Sequence, residues 1–160
     1  MTKIAIAGVS GKMGSRILAL AEDFSGLELG GVFEMKGHLR VGQEIVFRGR
    51  KFTIEDNVED ALSKADVLID FTAPKGTLDN LKCALSMEKA MVIGTTGFDA
   101  AGIAAIKEAS LKIPVVLSPS MAVGVNLLFR VVKDVSRALN DYDVEIVELH
   151  HNQKKDAPSG

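Results

Sequence analysis

The sequence predicts an α/β fold, a doubly wound parallel sheet wrapped by helices. Short β-rich runs alternate with helical patterns of about 10 to 15 residues, which is how βαβ units read. Several strand candidates, "MVI" and "PVVL" among them, are apolar without alternation, as expected of strands buried on both faces. The first strand candidate also runs straight into a glycine-rich turn that opens a helical pattern.

Taken in order, Lys3 to Ala7 ("KIAIA") reads as the first strand. "KMGSRILALAED" follows, with Met13, Ile17, Leu18 and Ala21 at helical spacing. Leu27 to Phe33 returns as a strand, and a polar, glycine-containing stretch runs from Glu34 to about Arg50 before a short "KFTI". Asn57 is placed to cap "VEDALSKA", whose first turn carries acidic residues that suit a helix N-terminus. Asp66 to Phe71 is a strand, and "GTLDNLKCALSM" a helix with Leu78, Leu81 and Leu85 on one face. "AMVIG" is a strand, "DAAGIAAIKEAS" a helix capped by Asp99, and "IPVVLS" a further strand. A long helix, "GVNLLFRVVKDVSRAL", precedes a last strand, "DVEIVELH", that belongs to a second domain. The expected division is a first domain over 1–122 and the start of a second, α+β domain over 123–160.

Composition narrows the function. With 160 residues the chain holds one complete core and the beginning of another. It is 47% apolar and 25% charged, as ordinary globular proteins are. A net charge of −2 offers no basic field for a nucleic acid or an anionic membrane. The single Cys83 excludes an internal disulfide, and no Cys/His cluster suggests a metal. The apolar stretch before Gly8 is too short for a signal peptide, and no run approaches the roughly 18 residues of a membrane span. A cytoplasmic protein is expected.

The glycine turn, Gly8-Val9-Ser10-Gly11-Lys12-Met13-Gly14, sits at a strand-to-helix junction. There glycines permit a sharp turn and let a pyrophosphate approach backbone N–H groups at a helix N-terminus, whose dipole favours anions. A tight turn without a ligand is the competing reading. Glu34, twenty positions after Gly14, ends the second strand, where a carboxylate accepts from ribose hydroxyls and repels a 2′-phosphate. Lys36 offsets part of that repulsion. Two further turns, "DFTAPKGT" and "GTTGFD", lie where a doubly wound sheet binds ligands; Phe71, Thr72, Gly94, Thr95 and Thr96 are their candidate contacts.

The terminal run "VELHHNQKKDAPSG" concentrates titratable chemistry. Successive side chains along a strand face opposite ways, so His150 and His151 cannot both enter one cleft. Pro158-Ser159-Gly160 reads as a turn toward a helix N-terminus that would bind an anion.

"GVSGKMG", "IDFT", "VIGTTGF", "VGVN" and "ELHHNQKKDAPSG", in that order, closely resemble the 4-hydroxy-tetrahydrodipicolinate (dihydrodipicolinate) reductases of the lysine and diaminopimelate pathway. The resemblance covers the whole chain, and its H-H-x-x-K-x-D-A-P-S-G segment is far more specific than the glycine loop. It implies a Rossmann-like nucleotide domain, NADH or NADPH as cofactor, and reduction of a cyclic imine-type dicarboxylate. It also implies a homotetramer for the full-length form, and a chain that is the N-terminal portion of a longer reductase, cut inside its active-site motif. Family matching assigns His150 as proton donor and Lys154 as the cation that binds substrate and stabilises developing charge. His151, Ser159 and Gly160 become substrate contacts. Glycine-loop residues Gly8, Ser10, Gly11, Lys12, Met13 and Gly14 become cofactor contacts, with Ser118, Ser120 and Met121 near the nicotinamide.

The residues suit this chemistry. Hydride delivery to an unsaturated ring conjugated to an imine leaves negative charge on an adjacent atom, and a positioned histidine typically contributes ~10²–10⁴-fold as its proton donor. Three departures from the family pattern matter, one of them the truncation above. Met35 stands where members often carry an arginine that meets a 2′-phosphate, so NADH is expected to serve at least as well as NADPH. "SPSMA" replaces a segment that often holds an asparagine and an aromatic. Two alternatives stand beside the reductase. A dinucleotide-binding module without chemistry leaves the His-Lys-Asp segment unexplained. Another Rossmann reductase, such as a semialdehyde dehydrogenase, needs a thiol nucleophile that Cys83, inside a helix, supplies poorly.

Overall fold

The computed structural model describes residues 1–147, 149 and 152, and divides into two compact units, Met1–Leu117 and the residues from Ser118 on. The first unit holds β1 (Thr2–Ala7), α1 (Lys12–Ala21), β2 (Leu27–Phe33), β3 (Glu44–Phe47), β4 (Arg50–Glu55), α2 (Val58–Ser63), β5 (Val67–Asp70), α3 (Pro74–Ser86), β6 (Ala90–Ile93), α4 (Ala100–Ala109) and β7 (Val115–Leu117). The strands form one seven-stranded sheet in the order β3-β4-β2-β1-β5-β6-β7. All neighbours are parallel except β3 and β4, which pair antiparallel as a hairpin. Strand order reverses at β1: the chain moves outward through β2 on one side and through β5 on the other. That reversal opens a crevice beyond the C-terminal strand ends, where ligands of such sheets sit.

The period-2 alternation of β1 divides the core between two layers. Ala5 and Ala7 face a cluster containing Leu62, Leu68, Leu81, Met91, Ile93 and Ile106, which draws on α2, α3 and α4. Ile4 and Ile6 face a second cluster with Val32, Ile54 and Ala21, against which Ile17 and Leu18 of α1 pack. Met13, at helical spacing with these residues, is 47% exposed beside the glycine turn. Asn57 and Asp99 cap α2 and α4 as expected, accepting from the backbone N–H groups of Glu59 and Gly102.

Three elements differ from the sequence-based expectation. The polar stretch after Glu34 contains β3, which forms because Ile45 and Phe47 turn toward the second core cluster while Glu44 and Val46 face outward. Its turn is Arg48-Gly49, both at positive φ. Next, α3 starts at Pro74, which suits a first helical position because its missing N–H would have no partner there. Finally, Asp143 to Val147 carry no regular structure where a strand was expected. A strand needs a neighbour for its backbone groups, and among the described residues none pairs with this run. In the second unit the regular element is α5 (Val123–Ala138).

Candidate dinucleotide site

Gly8 follows β1 at φ 62°, a conformation that costs a glycine nothing. Its N–H donates to the Phe33 carbonyl at 3.0 Å, and its own carbonyl accepts from the Gly11 N–H at 2.9 Å. The loop thus folds back on itself and hands over to α1. Gly14 lies against it: a Cβ there would overlap the Gly8 carbonyl oxygen and come within 2.8 Å of the Val9 Cα. Gly11 caps α1 without a side-chain hydrogen bond, and no acidic residue occupies the first turn. The backbone N–H groups of Lys12, Met13 and Gly14 therefore meet no side-chain acceptor at the positive end of the helix dipole.

Glu34 is only 7% exposed, and one of its carboxylate oxygens accepts from the Ser10 N–H at 2.7 Å. It ties the second strand end to the glycine loop, and its other oxygen has no hydrogen bond among the described residues. Beside it lies a cleft of about 380 Å³ lined by Phe33, Glu34, Met35, Lys36, Asp56, Asn57, Val58 and Asn80. Asp56 and Asn80 were not legible in the sequence as part of this edge. The signal was positional, since Asp56 follows β4 as Glu34 follows β2. A separate apolar groove between α3 and α4, lined by Leu78, Leu81 and Leu85, contains none of the sequence-derived candidates.

The other two turns meet at the same edge. The Gly94 N–H donates to the Asp70 carbonyl at 2.9 Å, and the Phe71 ring occupies the space a Cβ on Gly94 would need. Thr95 is buried at 5% exposure, while Thr72 and Gly97 are open to solvent. The Thr72 hydroxyl donates to Asp70 Oδ1 at 2.7 Å, and the Thr95 hydroxyl reaches the same oxygen at 3.3 Å. Both side chains thus turn toward a carboxylate that sequence reading passed over.

In the second unit, the turn into α5 is organised by its own side chains. Ser118 Oγ donates to the Ser120 carbonyl at 2.6 Å, and Asn126 Nδ2 donates to the carbonyls of Ser120 at 2.9 Å and Ala122 at 3.0 Å. Met121 is 42% exposed. The candidates His150, His151, Lys154, Ser159 and Gly160 lie outside the described residues.

The donor set suits a dinucleotide. Ser10 Oγ is buried and has no hydrogen-bond partner, an expensive state for a hydroxyl unless a ligand supplies one. It stands at the same loop as the uncapped amides of α1, where a pyrophosphate would accept from both.

The dihydrodipicolinate reductase N-terminus family model matches residues 2–121, and the C-terminus model of the same family matches residues 124–160. The chain belongs to the dihydrodipicolinate reductase family. Among curated 4-hydroxy-tetrahydrodipicolinate reductases, those of Geotalea daltonii and Geobacter sulfurreducens are each 47% identical to it over the whole chain. The chain spans 62% of the length of these relatives. A dipicolinate-bound dihydrodipicolinate reductase from Paenisporosarcina sp. TG-14 superposes with a TM-score of 0.78 at 29% identity, covering all of this chain and 62% of that one. Aspartate semialdehyde dehydrogenase II from Vibrio cholerae is also similar, with a TM-score of 0.56 at 15% identity over 72% of this chain and 38% of that one, a likeness of fold alone.

For this member of the dihydrodipicolinate reductase family, the first unit is the nucleotide-binding domain. Cys83 is poorly suited to act as a nucleophile in it. The thiol is buried in α3 against Met87 Sδ at 3.6 Å, and burial, with Glu59 adding to it, holds its pKa above the ordinary thiol value. No helix among the described residues is long and apolar enough to cross a membrane.

Proposed function

We propose that the full chain reduces 4-hydroxy-tetrahydrodipicolinate, or its dehydrated form dihydrodipicolinate, to tetrahydrodipicolinate in diaminopimelate and lysine synthesis. The observation that carries this reading is the glycine loop joined to Glu34, with a buried, unpartnered Ser10 hydroxyl, in a chain whose terminal segment has the family's substrate motif. The reduced nicotinamide, when bound, supplies a hydride. The amides that open α1, the Ser10 hydroxyl and Lys12 hold the pyrophosphate, and the free oxygen of Glu34 accepts from ribose hydroxyls.

His150 donates the proton that the ring needs once hydride addition leaves charge on an adjacent atom. Lys154 holds one carboxylate of the substrate and stabilises that charge. Ser159 and the Gly160 amide hold the other carboxylate, and His151 supports from the substrate side. Ser118, Ser120 and Met121 line the nicotinamide, and the full-length form is a homotetramer. NADH serves at least as well as NADPH, because the Glu34 carboxylate repels a 2′-phosphate and Met35 brings no charge to offset it. Lys36 opposes that preference.

The test follows NADH loss by the full chain, with substrate generated in situ from pyruvate and aspartate semialdehyde. Turnover is expected, with His150→Gln lowering kcat while NADH affinity stays unchanged. Glu34→Ala is expected to weaken NADH binding and spare the chemical step. NADH binding without any turnover would favour a dinucleotide-binding module instead, and identical effects of the two substitutions would overturn the division of roles.

A further inference from the structure

Asp70 ends β5 with no exposure at all, yet the ion pairs among the described residues, Lys51–Glu44 and Lys82–Asp79, leave it without a cation. A buried carboxylate is costly unless its oxygens are saturated with donors. Here they are. Oδ1 accepts from the Thr72 N–H at 2.9 Å and the Thr72 hydroxyl at 2.7 Å, and meets the Thr77 hydroxyl at 3.0 Å and the Thr95 hydroxyl at 3.3 Å. Oδ2 accepts from Asn80 Nδ2 at 2.7 Å.

These donors come from different segments. Thr72 lies in the turn after β5, Thr77 and Asn80 in α3, and Thr95 in the turn after β6. Thr77 is itself fully buried and bridges to the Thr95 hydroxyl at 2.8 Å. A carboxylate only accepts, so the Thr72 N–H, the Thr72 hydroxyl and the Asn80 amide point their hydrogens at it, while Thr77 and Thr95 share theirs between it and each other. The rotamer it sets on Thr72 has a second consequence: the Thr72 methyl lies 3.0 Å from where a Cβ on Gly8 would stand. One carboxylate therefore joins the β5–α3 turn to the β6–α4 turn and backs the glycine loop. All three border the crevice where strand order reverses. Asn80 further connects the network to the cleft beside Glu34. A position needed only for packing would carry an apolar residue at lower cost.

We propose that Asp70 is a positioning residue for the bound dinucleotide: through Thr72, Thr77 and Thr95 it fixes the three turns that receive the cofactor. This rests on the dinucleotide reading above. Asp70→Asn places an N–H₂ group among donors, and Thr77→Val removes one hydroxyl at nearly constant volume, so the pair separates a lost charge from a lost link.

The full chain and both variants are compared by NADH fluorescence titration, NADH KM and kcat, thermal unfolding, and amide hydrogen exchange without ligand. Asp70→Asn is expected to raise the NADH Kd and KM about tenfold, with a smaller change in kcat. Exchange is expected to accelerate together in residues 8–11, 71–73 and 94–97, and to stay unchanged in the central strands. Thr77→Val moves the same quantities in the same direction by about threefold. A lowered unfolding temperature with an unchanged Kd, measured where both variants are fully folded, would reduce Asp70 to a stabilising residue and refute the proposal. Failure of the wild-type chain to bind NADH would instead refute the dinucleotide reading. The two failures are distinct because the second appears before any substitution is made.

Discussion

Substituting Gly14 by alanine sets two effects of opposite sign against each other. In a helix interior alanine is favoured over glycine by about 1 kcal/mol, so propensity alone predicts a more stable protein. The new methyl, however, would overlap the Gly8 carbonyl oxygen and stand 2.8 Å from the Gly8 carbonyl carbon and the Val9 Cα. Carbon atoms settle at about 3.5–4.0 Å, so α1 and the glycine loop must separate by roughly 1 Å. Both neighbours are backbone and cannot rotate away. Overpacking of this kind costs about 1–3 kcal/mol, enough to cancel or exceed the propensity gain. The larger effect falls on binding, because the amides proposed to cradle the pyrophosphate shift with the helix. A displacement of about 1 Å can cost up to ~100-fold, so NADH Kd is expected to rise 10- to 100-fold while unfolding temperature falls by roughly 0–6 °C. Gly76→Ala in the first turn of α3 is the control, since its Cβ would meet only Thr72 Oγ1 at an ordinary 3.4 Å. It should leave Kd within about twofold. Fluorescence titration and thermal unfolding of the full chain read both quantities. A Gly14→Ala protein that is more stable and binds NADH as the wild type does would refute the close-approach argument.

Arg48→Met removes a guanidinium that donates to the carbonyls of Ala21, Glu22, Phe24 and Leu27 at 2.7–3.1 Å around the end of α1. With solvent exposure discounted, a loss of about 2 kcal/mol and 4–8 °C in unfolding temperature is expected, with NADH Kd unchanged; an unaltered melting curve would contradict it. Gly94→Ala must push the Phe71 ring aside, so it should loosen both turns and weaken NADH binding about tenfold, checked by titration. The Cys83 thiol is raised by burial, so its protonated form is favoured by folding. That contribution is complete below the unfolded thiol value, about 8.5, and is lost as pH rises through the folded one. The urea midpoint should therefore fall above that pH in the wild type and lose this component in Cys83→Ala, and a thiol reagent should react slowly at pH 7 until urea is added.

Much of the architecture was legible because it is written over short distances. The β-rich runs of β1, β5 and β6, the caps Asn57 and Asp99, and the glycine turn between β1 and α1 each depend on neighbours within a few residues. The place of Glu34 beside the glycine loop was legible because a strand end has a fixed place relative to the turn beside it. The β3 strand was hidden in a polar stretch, since its turn relies on Arg48 at φ 47°, a conformation few side chains adopt. Arg48 holds it through carbonyls more than twenty positions earlier in the chain.

By itself the sequence determined the layered α/β class, the glycine turn and the family motifs, because backbone conformation and hydrophobic period are local properties. Only the tertiary structure decided that the Glu34 carboxylate would grip the Ser10 amide, that Ser10 Oγ would be buried without a partner, and that Asp70 would gather Thr72, Thr77, Asn80 and Thr95. Hydrogen bonds form between groups that packing brings within about 3 Å, and sequence spacing does not reveal which strand ends and helices will meet there.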